Sequence, residues 1–210
     1  IIHLAIGGTL NGTVSFTDFY KDFMFESDLR LKDFTLLESR YGEIKIISAW
    51  NNHKRLVDID ASNNLEGKRM FVIQGTFDPS SRQVDLTADA AKLPIDALNP
   101  LLSVFASDIS GTASGRVRLS GALSKPYLTG ALYAEDARMK IDYTQTRYIL
   151  TDSIRFDRSG IKFNNVQLKD ERGNGAVLAG TVNHEHFQNF TVDLSIRTND
   201  CMVLNTRSKD

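Results

Sequence analysis

This 210-residue chain predicts an all-β fold, on three observations. Apolar and polar residues alternate with period two over most of its length, the mark of strands with one dry and one wet face. Turn-forming clusters break the alternation about every 10–15 residues, as in a serial array of strands. Helical spacing of apolar residues appears in a single short stretch. The clearest alternation lies within Asp108 to Asp136. Ala113, Gly115, Val117, Leu119, Gly121 and Leu123 share one face; Ser114, Arg116, Arg118, Ser120 and Ser124 share the other. After a break at Lys125-Pro126 it resumes with Leu128, Gly130, Leu132 and Ala134 against Thr129, Ala131, Tyr133 and Glu135. This dry face carries Gly and Ala as often as Leu and Val, which leaves room on its apolar side.

Residues 1–91 read as a strand array. Leu4 and Ile6 precede Gly7-Gly8, then Leu10, Gly12, Val14 and Phe16 alternate with polar residues. Phe23, Phe25, Leu29 and Leu31 follow, and Tyr41-Gly42 introduces Ile44, Ile46 and Trp50. Asn51-Asn52 and Asn63-Asn64 are turn-prone pairs around Val57 and Ile59. Phe71, Ile73, Gly75 and Phe77 run to Asp78-Pro79-Ser80-Ser81, and Val84, Leu86 and Ala88 close the half. Residues 92–107 are the exception. Leu93, Ala97, Leu98, Leu101, Leu102 and Phe105 recur at spacings of three and four, with Pro94 suited to a first helical turn. A short amphipathic helix near 94–106 is expected, interrupted by Pro100. Strands return over 108–210: Met139, Ile141 and Tyr143; Tyr148 and Leu150; Ile154 and Phe156; Ile161 and Phe163; Val166 and Leu168. Asp170-Glu171-Arg172-Gly173-Asn174-Gly175 is the strongest turn signal. Ala176, Leu178, Gly180 and Val182 follow it, then Phe190, Val192, Leu194 and Ile196.

Composition narrows the function. Lys and Arg number 25 against 26 Asp and Glu, with no basic run, which argues against a nucleic-acid partner. The single Cys201 excludes an internal disulfide and a cysteine zinc site, and reads as a packed thiol. No apolar run is long enough to span a bilayer. The chain opens and closes in mid-pattern, so it reads as a segment of a longer protein. Such a segment would carry unpaired strand edges, and an edge-to-edge dimer of it would be an artefact.

No residue set reads as a catalyst, and no cofactor is expected. His184 and His186 share a strand face at i, i+2, but no further ligands accompany them, and they read as a polar strand end or turn. Asp18, Asp22 and Glu26 are scattered; Asp58 and Asp60 face one side of a strand without an aromatic platform for glycosidic chemistry. Gly7-Gly8-Thr9-Leu10-Asn11-Gly12 lacks the lysine and spacing of a phosphate loop. By period alone the apolar faces fit a packed sandwich or β-helix core.

An ordered series carries a family resemblance over residues 93–206. Leu98-Asn99-Pro100-Leu101-Leu102 is followed by Gly111-Thr112-Ala113-Ser114-Gly115 and Leu119-Ser120-Gly121-Ala122-Leu123. Pro126 and Leu128-Thr129-Gly130-Ala131-Leu132 come next, then Asp170, Gly173-Asn174, Leu178, Gly180, His184 and Phe187. The series resembles the TamB family of the AsmA-like superfamily, in its Bacteroidetes form. The resemblance implies a periplasmic protein anchored in the inner membrane by an N-terminal helix not present in this sequence. It implies a long, curved β-sheet folded into an open U-shaped trough with an apolar interior. Phospholipid acyl chains would pass along it to the outer membrane, and an Omp85-type barrel would be a partner in protein assembly.

On that reading the groove is lined by Val117, Leu119, Leu123, Leu128, Leu132, Ile141, Leu178, Val182, Val192 and Leu194. A six-residue strand spans roughly 20 Å, against about 15 Å for one leaflet of hydrocarbon. Each methylene taken from water contributes about 0.8 kcal/mol. Two other readings remain: a β-helical stalk or surface adhesin module with a fully packed core, and a β-helical polysaccharide enzyme.

Overall fold

The computed structural model describes residues 5–17, 24–36, 39–99, 103 and 106–203. The first strands through them are β1 (Ile6–Thr17), β2 (Met24–Leu36), β3 (Ser39–Asn51), β4 (Leu56–Asn64), β5 (Phe71–Asp78) and β6 (Gln83–Pro94). They continue as β7 (Ala106–Ala122), β8 (Lys125–Ile141), β9 (Thr146–Asp157), β10 (Gly160–Asp170), β11 (Gly175–Glu185) and β12 (Gln188–Thr198). Pairing follows chain order from β1 to β12, and every defined register is antiparallel. Tight turns join β7 to β8, β9 to β10 and β11 to β12, and antiparallel neighbours of this kind need no crossover.

Of the helix expected near 94–106, the described residues shorten both ends: Leu93 and Pro94 end β6, Asp96–Leu98 is a 3-10 turn, and Ala106 already belongs to β7. The competing force is strand pairing. Ile95 N–H donates to the Gly111 carbonyl at 3.2 Å, so the chain stays tied to β7 after leaving β6. The Asn99 amide then imitates a strand partner. Its Oδ1 accepts the Ile109 N–H at 2.7 Å, and its Nδ2 donates to the Ile109 and Asp96 carbonyls at 2.8 Å. Pro100, Leu101, Leu102 and Phe105 lie outside the described residues, as do His3, Leu4, Asp18, Asp22 and Phe23.

Two turns also move. The β7–β8 turn is Leu123-Ser124 rather than Lys125-Pro126, and the Leu123 N–H is held by the Arg82 carbonyl at 3.0 Å. Tyr143 sits in the β8–β9 turn, 89 % exposed, not on a strand face. Asn63, expected in a turn, is a buried β4 residue. It accepts the Met70 and Phe71 N–H groups at 2.8 Å and donates to the Tyr41 carbonyl at 3.0 Å.

Five strands switch the phase of their apolar alternation part-way along. In β2 it passes from Leu29 and Leu31 to Phe34 and Leu36; in β10, from Ile161 and Phe163 to Val166 and Leu168. β6 switches between Ala90 and Leu93, β7 between Ala106 and Ile109, β8 between Ala134 and Ala137. At each switch one residue has positive φ: Asp33 (52°), Lys92 (51°), Asp108 (54°), Asp136 (49°) and Asn165 (55°). The registers slip where Asp33 and Asn165 are inserted. Each is a β-bulge, an extra residue that returns the next apolar side chain to the same face. Asp and Asn suit the left-handed region because their short side chains bond locally.

The chain forms two compact units, one of His3–Ala91 with Arg116–Gly130, the other chiefly of Lys92–Gly115 with Ala131–Asp210. In the first, cross-strand rows separate by polarity. Gly12, Leu29, Ile46, Ala61, Ile73 and Ala88 form one row, and Trp50, Val57, Phe77 and Val84 another on the same face. The opposite face carries Thr13, Asp28, Ile47, Asp60, Gln74 and Thr87. In the second unit the apolar rows are Leu150–Leu168–Ala176, Val166–Leu178–Ile196 and Phe156–Ile161–Val182–Val192. Their centre is a core cluster in which Leu150, Val166 and Leu168 are buried with Ala134, Ala137 and Tyr148.

Candidate apolar face

A one-sided sheet is the candidate site, and its two faces are fixed differently. On the wet side of the first unit, Arg116 and Arg118 of β7 each make a paired contact to a β6 carboxylate. Arg116 Nε reaches Asp89 at 2.6 Å and Arg118 Nε reaches Asp85 at 2.6 Å. These hydrogen bonds hold both carboxyls below the ordinary Asp value and raise both guanidinium values. They are exposed, so each adds little stability. What they fix is orientation. With Arg116 and Arg118 pinned on the wet side, Val117 and Leu119 between them must face the other way.

The expected lining residues fall as follows. In the first unit Val117 and Leu119 are half-buried on the apolar side. Gly130 backs directly onto Val117, where a Cβ would come within 2.9 Å of its Cα, so Leu128, two residues along, shares that side. In the second unit Leu132 lies across from Gly115 in the same manner. Ile141 ends β8 and packs against the core cluster. Leu178 and Val182 are buried on the apolar face, and Val192 and Leu194 continue it onto β12, 53 % and 36 % exposed. Leu123 is the correction. As a turn residue, 55 % exposed, it belongs to neither strand face.

Exposure is uneven along these faces. In the first unit Leu10, Val14 and Phe16 of β1 are 59 %, 45 % and 51 % exposed on the apolar side, where Leu10 pairs with Leu31 and Phe16 with Phe25, but Val14 with Ser27. Tyr41, Ile44, Ala61 and Val84, further in, are buried. Polar atoms on the apolar side are matched. Ser27 and Ser48 share a hydroxyl hydrogen bond of 2.6 Å, and among the described residues no buried side-chain nitrogen or oxygen lacks a partner.

The histidines do local work. His184 continues the Leu178–Val182 face at the end of β11. Its ring stacks on Phe187 (4.8 Å between centroids) and meets Phe190 edge-on (5.6 Å). Its Nδ1 accepts the Phe187 N–H at 3.2 Å. Burial, then the neighbouring His186, push its pKa below the ordinary value. Among the described residues no group of three or more His, Cys, Asp or Glu is arranged to hold a metal. Asp58 and Asp60 are occupied on the wet face by Asn51 (2.9 Å) and Gln74 (2.6 Å).

In the sequence Asp170 is one letter of a turn; in the structure it is a buried carboxylate. Oδ1 accepts the N–H groups of Arg172 and Asn174, and Oδ2 accepts the Asn174 side chain and the Met202 N–H, at 2.9–3.1 Å. The Met202 bond leads the causes that lower its pKa to about 2. The turn bonds are legible in Asp170-x-x-x-Asn174; the bond to a residue 32 positions away is not. No family model, curated protein or solved structure matches the chain, and its function is read from these faces and from the residues that hold them.

Proposed function

We propose that this chain is a non-enzymatic segment of a TamB-like bridge in the periplasm, shielding phospholipid acyl chains between the inner and outer membranes. The observation that carries the reading is the one-sided polarity of the first unit. An apolar row crosses β1 to β6, and Leu10, Val14 and Phe16 on the same side of β1 remain open to solvent. An open apolar face of that kind solvates hydrocarbon at about 0.8 kcal/mol per methylene. Side chains of similar polarity along each row make neighbouring positions nearly equal in energy, so a chain can slide. In the intact protein the sheet would curl into a trough and work with an Omp85-type barrel.

The test is chemical. Protein purified from bacteria, extracted with organic solvent and analysed by mass spectrometry should release phospholipid. A preparation free of lipid refutes the reading. In the parent protein, Leu119→Asp should block lipid traffic while this segment stays folded; normal traffic would count against the groove. A packed structural stalk is the second reading. The core of the second unit favours it there, since Leu150, Val166 and Val182 are at most 1 % exposed.

A further inference from the structure

The four residues after β12 do not continue the meander. Thr198 ends β12 with its hydroxyl donating to the Gly175 carbonyl at 2.9 Å, and the same Oγ1 accepts the Cys201 N–H at 2.9 Å. This turns the chain back toward the strands it has just left. Cys201 is buried in the cluster formed by Ala134, Tyr148, Leu150, Leu168 and Ala176. Met202 is gripped at both ends of its backbone. Its N–H donates to Asp170 Oδ2 at 2.9 Å, and its carbonyl accepts the Tyr148 hydroxyl at 2.9 Å. Asp170 and Tyr148 are direct cross-strand partners on β10 and β9. The distances agree with a crossing path: β12 to β10 is two strand spacings, about 10 Å, and four residues reach about 13 Å.

Cys201 therefore rests on the Leu150–Leu168–Ala176 row, at the Tyr148 and Asp170 end of the face that carries Leu178 and Val182. A loop that only closed a hairpin would need neither the buried carboxylate nor the tyrosine hydroxyl. Both bonds go to backbone atoms of Met202, so the attachment depends on the path of the chain rather than on the methionine side chain. Cys201 supplies the segment's seat in the cluster and the hydrogen bonds hold the rest; a segment of four residues attached this way can leave without unfolding the sheet.

We propose that Asn199–Met202 is a built-in strap on the apolar face of the second unit, an autoinhibitory contact that competes with a lipid acyl chain for the Tyr148–Leu168–Ala176 end. The proposal rests on the lipid-shielding reading. Binding and strap release are then linked: what displaces the strap binds more tightly once the strap is loosened, by the same factor.

The experiment uses the full chain and 11-(dansylamino)undecanoic acid, a single-chain probe that brightens on leaving water. Amide exchange at Met202 reports the strap. Saturating probe should speed that exchange about five- to tenfold, and Tyr148→Phe and Asp170→Asn should each bind probe more tightly by a similar factor. Tyr148→Phe removes one hydroxyl and keeps the ring in the core, so it decides the matter if Asp170→Asn does not fold. Unchanged Met202 exchange at saturating probe overturns the proposal. So does a variant that frees Met202 without gaining affinity, one that leaves Met202 exchange unchanged, or an absence of probe binding in both wild type and Tyr148→Phe. The conduit reading is judged separately. Phospholipid co-purifying with the wild type while the strap tests fail leaves that reading standing alone; tighter probe binding on strap release without co-purified phospholipid leaves the strap standing alone.

Discussion

Deleting Asn165 tests the bulged registers directly. Asn165 is exposed, has a φ of 55° and accepts a hydrogen bond from Arg197 at 2.8 Å. Its structural role is to be the extra residue between Phe163 and Val166. Without it β10 becomes a regular strand. Phe163 and Val166 then stand two residues apart, matching Gly180 and Leu178 opposite them, and Lys162 to Leu168 spans five steps, matching Arg155 to Leu150. Ile161, Phe163, Val166 and Leu168 therefore stay on the apolar face. The deletion removes the Arg197 hydrogen bond, worth about 1 kcal/mol, and relieves a left-handed residue that costs a similar amount, so stability should change by no more than about 1 kcal/mol. Were Asn165 an ordinary residue of the alternation, its loss would turn Val166 and Leu168, now 1 % and 4 % exposed, to water at a cost of about 3–6 kcal/mol, a large share of the roughly 5–15 kcal/mol that holds a domain together. Asn165→Gly keeps the left-handed residue and should stay within about 1 kcal/mol of the wild type. Trp50, the sole tryptophan, belongs to the first unit, so its fluorescence is the wrong reporter. Hydrogen–deuterium exchange of peptides spanning β9 to β11 is the right one. The deletion should leave Val166–Asp170 as protected as in the wild type. Loss of protection there would refute the account of the bulges.

Three further outcomes are expected. Leu150→Ala empties a position with no exposed surface at the centre of the second unit's core; it should cost about 3–5 kcal/mol in guanidinium unfolding followed by circular dichroism. Gly75→Ala would drive a Cβ into the Asp85 carbonyl of the paired strand, destabilising the first unit by about 1–3 kcal/mol, an effect Trp50 fluorescence should report. His184 has a folded pKa below its unfolded value of about 6.5. Its contribution to stability is therefore complete above about pH 6.5 and is lost as pH falls through the folded pKa. Thermal melts between pH 8 and 5 should show the decline, and His184→Gln should flatten it; an equal decline in that variant would remove His184 as the cause.

Strand character was legible because period two is a local property. The dry-face series Val117, Leu119, Leu128, Leu132 and the later Leu178, Val182, Val192, Leu194 needed only alternation to be read. Bulges were not legible as bulges. Ala134 and Ala137 lie on one face of one strand, but their spacing of three reads as the end of one strand and the start of another. The same spacing arises in a helix, which is why Leu93, Ala97 and Leu98 suggested one. Pairing with β7 overrode that local preference. Leu123 was misplaced because its parity matches the strand while its backbone belongs to the turn. The Asp170–Met202 and Tyr148–Met202 bonds join residues 32 and 54 positions apart, and no short-range pattern encodes them.

The meander order has a consequence for how the chain acquires its structure. Every strand's partners are the ones made just before and just after it, so little loop entropy stands between a strand and its first contact. A hairpin closes in about 1–10 μs, whereas a ribosome adds about 5–20 residues per second. Each newly synthesised strand therefore finds its template already waiting. The sheet can grow one strand at a time from its N-terminal side, its newest strand and β1 forming the two edges at any moment. The contacts that must wait are few, chief among them the seating of Cys201 and Met202, which can form only after β12 is in place.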